Sequence, residues 1–220
     1  MLTMETMLPF WEKLTKEQQN KLFASAKEVS YKKGDILHAG SNDCSGVFLI
    51  KQGQLRSYIV SEGGKEITLY RLFERDICLF SASCIMKNIS FDIFIEAEKD
   101  TETILIPSSV YSELRKEALA VSEYTNELLS SRMSDVMWIM EQVLFMSFDK
   151  RLAIFLLEQA AIEDSDTFKM TQEMMARHLG SAREVVSRML KYFADEGMVT
   201  VGRGSVTLLN REKLESLAYE

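Results

Sequence analysis

The stretch Thr171-Gln-Glu-Met-Met-Ala-Arg-His-Leu-Gly-Ser-Ala-Arg-Glu-Val-Val-Ser-Arg-Met-Leu190 decides how this chain is read. It predicts two short helices around a tight turn. With Gln172 as position 1, the small Ala176 falls at position 5, where two crossing helices approach most closely. Gly180 falls at position 9, where the turn needs a positive φ that only glycine adopts at low cost. Met175, Leu179, Val186 and Met189 occupy positions 4, 8, 15 and 18, the apolar set that buries one helix against the other. Ser181 followed by Glu184 reads as a capping box opening the second helix. Arg183, Glu184, Ser187 and Arg188 then project from its far side. A short helix with Arg and Glu near its N-terminus suits a DNA major groove.

Helix pairs with a glycine between them are common, and their charged faces are often merely solvated. The downstream text separates the two readings. Lys191-Tyr-Phe-Ala-Asp-Glu-Gly197 ends the second helix at a glycine. Met198–Val201 and Ser205–Leu209 then read as two β runs joined across Gly202-Arg-Gly204. Helix, helix and hairpin in that order predict a winged helix-turn-helix.

Composition bounds the rest. A chain of 220 residues holds one large or two modest domains, and 46% hydrophobic with 27% charged residues is ordinary for a globular protein. No apolar run approaches the ~18 residues of a membrane span, and no signal peptide is read at Met1, so a cytoplasmic protein is expected. Cys44, Cys78 and Cys84 are an odd, sparse set without C-x-x-C spacing, which predicts reduced thiols and no structural metal. No nucleophile–base pair, metal spacing or phosphate loop is found, and an enzyme is not expected. The net charge of −7 opposes nucleic-acid binding. Its placement matters more. From Lys169 to Ser205, six basic residues face four acidic ones, a local excess of two positive charges.

The first ~115 residues read differently. A short N-terminal helical region (Leu8–Leu14, Lys16–Phe23) precedes β runs at Asp35–His38, Gly46–Ile50, Leu55–Val60, Glu66–Tyr70, Phe91–Ile95 and Thr103–Ile106, punctuated by glycines. Many short strands with regular turn signals predict a compact antiparallel barrel or roll. A helical stretch follows, from about Ser108 to Phe145. Along it Leu129, Met133, Val136, Met140 and Val143 recur at 4-3-4-3 spacing, a heptad seam. Met137, Trp138, Leu144 and Phe145 widen the apolar face enough for both a partner helix and the roll, so a two-fold homodimer is expected. Asp149 is the expected N-cap of a helix over Lys150–Ala161, with a hinge at Met146–Asp149. The expected class is α+β: a β-roll sensor over 1–115, a dimerisation helix over 116–146 and a winged helix-turn-helix over 147–220.

This order of parts resembles the CRP/FNR family of bacterial transcription regulators, and the resemblance covers nearly the whole chain. It is carried by Tyr31-Lys-Lys-Gly-Asp-Ile-Leu-His-Ala-Gly40, Phe48-Leu-Ile-Lys-Gln-Gly-Gln-Leu55, Gly64-Lys-Glu-Ile67 and Arg183-Glu-Val-Val-Ser-Arg188. It implies a cyclic-nucleotide-binding-like roll, a palindromic double-stranded DNA operator and, for an activator, contact with RNA polymerase. It further implies that Arg183, Glu184, Ser187 and Arg188 contact bases while Thr171 and Lys191 hold the DNA backbone. Ser187 matches the FNR branch and Arg183 the CRP branch, which implies a half-site mixing the two.

The sensor half departs from the family pattern. Where cyclic-nucleotide members hold a phosphate with a Gly-Glu-Leu turn and an Arg-Ser pair, this chain reads Arg75-Asp-Ile-Cys-Leu-Phe-Ser-Ala-Ser-Cys84 and Phe91-Asp92. Without the arginine the phosphate loses charge-assisted hydrogen bonds, and Asp92 adds repulsion. The adenine-contacting hydroxyls of the long helix are replaced by Val136 and Met137. Cyclic AMP is therefore not the expected effector, and no cofactor is expected. The cysteine cluster of the iron–sulfur members is absent as well. Cys78 stands at the thiolate position of carbon-monoxide-sensing members, but their histidine is replaced by Phe80. Three readings stay open for Cys78 and Cys84: small buried hydrophobes, the leading one, redox thiols, or with Cys78 a haem ligand. His38 and His178 are poorer ligand candidates. The apolar set Phe80, Phe94, Met137 and Met140 would also suit a small organic effector. The competing function is a haem- or ligand-binding regulator without DNA-binding function.

Overall fold

A computed structural model describes residues 2–40, 45–81 and 92–219. The chain forms two compact units, Met1–Ile59 with Leu69–Val136, and Val60–Thr68 with Met137–Glu220.

The first unit opens with α1 (Met4–Met7), a 3-10 turn (Trp11–Lys13) and α2 (Lys16–Ser25). Thr15 opens α2 through a capping box: its Oγ1 accepts from the Gln18 backbone, and Gln18 Oε1 accepts from the Thr15 N–H. Among the described residues eight strands follow: β1 (Lys27–Tyr31), β2 (Ile36–Ala39), β3 (Val47–Gln52), β4 (Leu55–Val60), β5 (Glu66–Leu72), β6 (Ile77–Cys78), β7 (Phe94–Ala97) and β8 (Thr101–Ile106). They make two four-stranded sheets, ordered β1-β8-β3-β6 and β2-β7-β4-β5. The expected roll is present, and β4 has the bounds read from the sequence. The unbroken apolar run Val47-Phe-Leu-Ile50 is explained by burial on both faces. Phe48 and Ile50 join Leu55, Leu72 and Ile95 inside the roll, whereas Val47 and Leu49 pack with Leu22, Ile106 and Tyr111 on its helical side. Strands β1 and β6 leave little signal in the sequence because β1 is mostly exposed and β6 is only two residues long.

The helical stretch is two helices, α3 (Ser108–Glu117) and α4 (Leu119–Phe145), separated by the extended Ala118. The Tyr111 hydroxyl lies 2.9 Å from Thr125 Oγ1, fastening α3 to α4. Of the heptad seam, Met133, Met140 and Val143 are exposed, at 67%, 46% and 45%. Leu129 and Val136 are half-buried against the cores of their own unit. Met137, Leu144 and Phe145 are exposed too.

The second unit holds α5 (Phe148–Ile162), β9 (Thr167–Lys169), α6 (Gln172–Leu179), α7 (Arg183–Asp195), β10 (Val199–Gly202), β11 (Ser205–Leu208) and α8 (Arg211–Tyr219). The three strands form an antiparallel sheet in the order β10-β11-β9. Leu152, Leu156, Met175, Val186, Leu190, Phe193, Val206 and Leu214 make a continuous core. Each such side chain contributes about 1.5–3 kcal/mol by leaving water.

Two capping expectations are corrected. Helix α5 starts two residues earlier than expected, with Ser147 at the N-cap and Asp149 inside the first turn, where its charge still favours the helix dipole. Helix α7 is preceded by Ala182 and has no side-chain cap, so Ser181 and Glu184 do not form a capping box. Ser181 is instead engaged as the tail of α6: its N–H and that of Gly180 both donate to Ala176 O, which wraps the last turn of α6 around the left-handed Gly180 (φ 64°).

Candidate nucleic-acid interface

Helix α7 divides cleanly by face. Val186, Leu190 and Phe193 are fully buried, and Met189 packs partly against the same core. Arg183, Glu184, Ser187, Arg188, Lys191, Tyr192 and Asp195 form the exposed stripe. Arg183, Ser187 and Lys191, at i, i+4 and i+8, share the exposed face and drift around it by about 40° per step. With 1.5 Å rise per residue, Lys191 stands about 12 Å from Arg183 along the axis.

Helix α6 sets the position of α7. Thr171 caps it, its Oγ1 accepting from Met174 N at 3.2 Å. Met175, Ala176 and Leu179 are buried beneath. Ala176 leaves room for the close approach read from position 5. The six arginines of the second unit then fall into two classes. Arg151 donates to Leu179 O, Arg177 pairs with Glu66 at 2.9 Å, and Arg211 pairs with Asp166. Arg183, Arg188 and Arg203 are exposed and make no hydrogen bond or ion pair among the described residues. Lys169 and Lys191 are likewise exposed and unpaired there. The unengaged arginines thus gather on α7 and the β10–β11 hairpin.

A groove of about 430 Å³ runs between these parts. Thr171, Gln172, Glu173 and Arg183 line one side, and Gly202, Gly204 and Ser205 of the β10–β11 hairpin the other. Hydroxyl and amide donors with a guanidinium suit a phosphodiester backbone, with Glu173 the opposing charge. Of the expected interface residues, Thr171 and Arg183 line the groove, while Glu184, Ser187, Arg188 and Lys191 continue from it along α7. Arg203 was not singled out in the sequence, although its Gly-Arg-Gly setting marks an exposed turn.

The effector candidates are not gathered in one place. Cys78 is fully buried in the roll, where burial pushes its thiol up, while Ser81 hydrogen bonds favour its ionised form. That supports its reading as a core residue. Phe80 and Val136 pack against the same core. Phe94 does not: it alternates with the buried Ile95 on β7 and stacks on Tyr58 at 5.4 Å, on the opposite face of the sheet. Met137 and Met140 are exposed on α4, and Cys84 lies outside the described residues. Sequence reasoning missed Arg132, which sits 4.7 Å over the Tyr70 ring and pairs with Asp135. Its i,i+3 partner was the available signal. His38 is buried on β2, and His178 Nδ1 lies 2.7 Å from Thr68 Oγ1. Among the described residues, no group of three His, Cys, Asp or Glu could hold a metal ion, and no helix is long and apolar enough to cross a membrane.

The fold and the helix-turn-helix domain are shared with known proteins. The family model of the Crp-like helix-turn-helix domain matches residues 150–217. A solved structure assigned to the transcriptional regulators of the crp/fnr family, from Eubacterium rectale, is 49% identical over 98% of this chain and 100% of its own, with a TM-score of 0.95. The CooA structure from Carboxydothermus hydrogenoformans is 25% identical, covers 89% of this chain and 88% of its own, and has a TM-score of 0.67. Among curated proteins, the cyclic AMP receptor protein of Thermus thermophilus is 26% identical over 91% of this chain and 88% of its own.

Proposed function

The chain belongs to the CRP/FNR family of transcription regulators, with a helix-turn-helix DNA-binding domain, and on that premise we propose that it acts as a homodimer reading a palindromic operator. Arg183, Glu184, Ser187 and Arg188 contact base edges in the major groove, and Thr171 and Lys191 contact phosphates. The observation that carries this reading is the sorting of arginines: those left without protein partners lie on the exposed side of α7 and its hairpin. A ligand-binding protein without DNA function would leave those charges without a role.

Dimerisation runs through α4, whose exposed Met133, Met137, Met140, Val143, Leu144 and Phe145 supply an apolar face that a second copy covers. Two-fold symmetry then presents the α7 helices to half-sites about 34 Å apart. An effector other than cyclic AMP biases the dimer between a binding and a non-binding arrangement through α4 and the α4–α5 junction. Asp92 in place of a phosphate-holding partner supports that exclusion. No cofactor is assigned, and contact with RNA polymerase follows if the protein activates.

The test is selection of bound duplexes from a random pool, followed by binding of Arg188→Ala. A pseudo-palindromic site is expected, with about 1–3 kcal/mol of discrimination lost at one base pair per half-site in the variant. Equal weakening on every sequence would reduce Arg188 to a phosphate contact, and an unsymmetrical site would remove the dimer.

A further inference from the structure

The unpaired arginines of the second unit lie on both sides of its groove. Arg183 borders it from α7, and Arg203 stands beyond it at the tip of the β10–β11 hairpin. Gly202 and Ser205 are the last paired residues, so Arg203-Gly204 is the whole connection. Gly204 takes φ 74° while Arg203 keeps a negative φ, the type II pattern that puts glycine at the second turn position. A Cβ on Gly202 would lie 2.5 Å from Ser205 Oγ, a contact that rotation of the serine side chain relieves, so glycine eases this tight closure without being required for it. Between two glycines, Arg203 is the only side chain the tip presents. It is exposed and has no hydrogen bond or ion pair among the described residues.

The geometry of B-DNA assigns that arginine a place. If α7 lies in the major groove, the strand bordering it runs through the channel lined by Thr171, Gln172, Arg183 and Ser205. Across either strand from a major groove lies a minor groove. The hairpin tip, on the far side of the channel from α7, meets it. We propose that Arg203 enters the minor groove flanking each half-site and makes binding depend on its width, favouring A·T-rich flanks that α7 never touches. This rests on the DNA-docking reading above. Narrow A-tract grooves concentrate negative potential, and a guanidinium gives up its hydration more readily than an ammonium. Glu173 lies on the α6 side of the channel, and no ion pair joins it to Arg203.

The experiment uses the full-length protein and a selected operator with its half-sites held constant. Flanks are varied between A-tracts and G·C runs, and binding is followed by fluorescence anisotropy at low salt. The wild type should prefer the A-tract operator by on the order of tenfold. Arg203→Ala should bring that ratio close to one while keeping its preference for the operator over scrambled half-sites. Arg203→Lys should keep most of the affinity and lose most of the ratio. Unchanged thermal melting will establish that the exposed substitutions leave the fold intact. An absent wild-type flank preference, an unchanged ratio in Arg203→Ala, or equal losses on both flanks would each overturn the proposal. Failure of the wild type to distinguish operator from scrambled DNA would instead overturn the docking reading, and this proposal with it.

Discussion

Replacing Lys191 by Gln removes one positive charge from the exposed stripe of α7 and leaves its buried face untouched. Lys191 is exposed, unpaired among the described residues, and about 12 Å along the helix from the arginine end. On the proposed docking a side chain so placed meets the phosphate rim and not the base edges. Each phosphate contact releases condensed counterions, adding about 0.9 to the slope of log affinity against log salt. A dimer loses two contacts, so the slope should shrink by about 1.8. Between 50 and 200 mM salt the variant should therefore lose roughly twelvefold less affinity than the wild type. Anisotropy titrations at four salt concentrations, on an operator and on a scrambled duplex, measure this directly. The change must be the same on both DNAs, because a phosphate carries no sequence. A shrinkage near 0.9 would mean that one protomer binds. An unchanged slope, or a change confined to the operator, would refute the placement of Lys191 at the backbone.

Three further outcomes follow from the packing. Gly180→Ala forces a left-handed backbone on a residue with a Cβ that would lie 3.2 Å from Ile67 Cδ1, so unfolding monitored by thermal or urea melts should show a loss of about 1–2 kcal/mol. No loss would mean that the turn relaxes to another shape. Met140→Glu, on the exposed face of α4, should shift sedimentation from dimer toward monomer and weaken operator binding with little change in melting; an unchanged sedimentation profile would place the dimer contact elsewhere. Cys78 should resist alkylation in the folded protein at pH 8 and react on unfolding. Because burial raises its folded value above the ordinary thiol value of about 8.5, the native state keeps a proton that the unfolded state has lost above that pH. Its contribution to stability is full below about pH 8.5 and declines as pH rises, and Cys78→Ala should flatten that decline. Alkylation at the rate of an exposed thiol would refute the burial.

The helix-turn-helix, the wing and the β-roll were legible because each is written in local chemistry. Gly180 occupies the one turn position that needs a left-handed backbone, and the spacing of Met175, Leu179, Val186 and Met189 is set by the helical period alone. Strand β4 was read to its ends because polar and glycine residues bound it on both sides. Caps were less legible, since a cap depends on where the backbone leaves the helix: Ser181 had the right side chain but is held by the tail of α6, which moves the N-cap of α7 to Ala182. The break at Ala118 was hidden for a similar reason, neither proline nor glycine marking it.

Which charges are free to meet DNA is another kind of fact. In the sequence the six arginines of the second unit are alike, and Arg177, inside the helix-turn-helix, looks as available as Arg183. Tertiary structure separates them. Partners 28, 111 and 45 residues away engage Arg151, Arg177 and Arg211, and leave Arg183, Arg188 and Arg203 to solvent. Periodicity carries no information over such separations, because an ion pair forms where folding brings two side chains within a few ångströms and not where spacing along the chain suggests it. The local text specified a helix to enter a groove and a hairpin beside it. Only the folded chain decided which arginines those elements have left to offer.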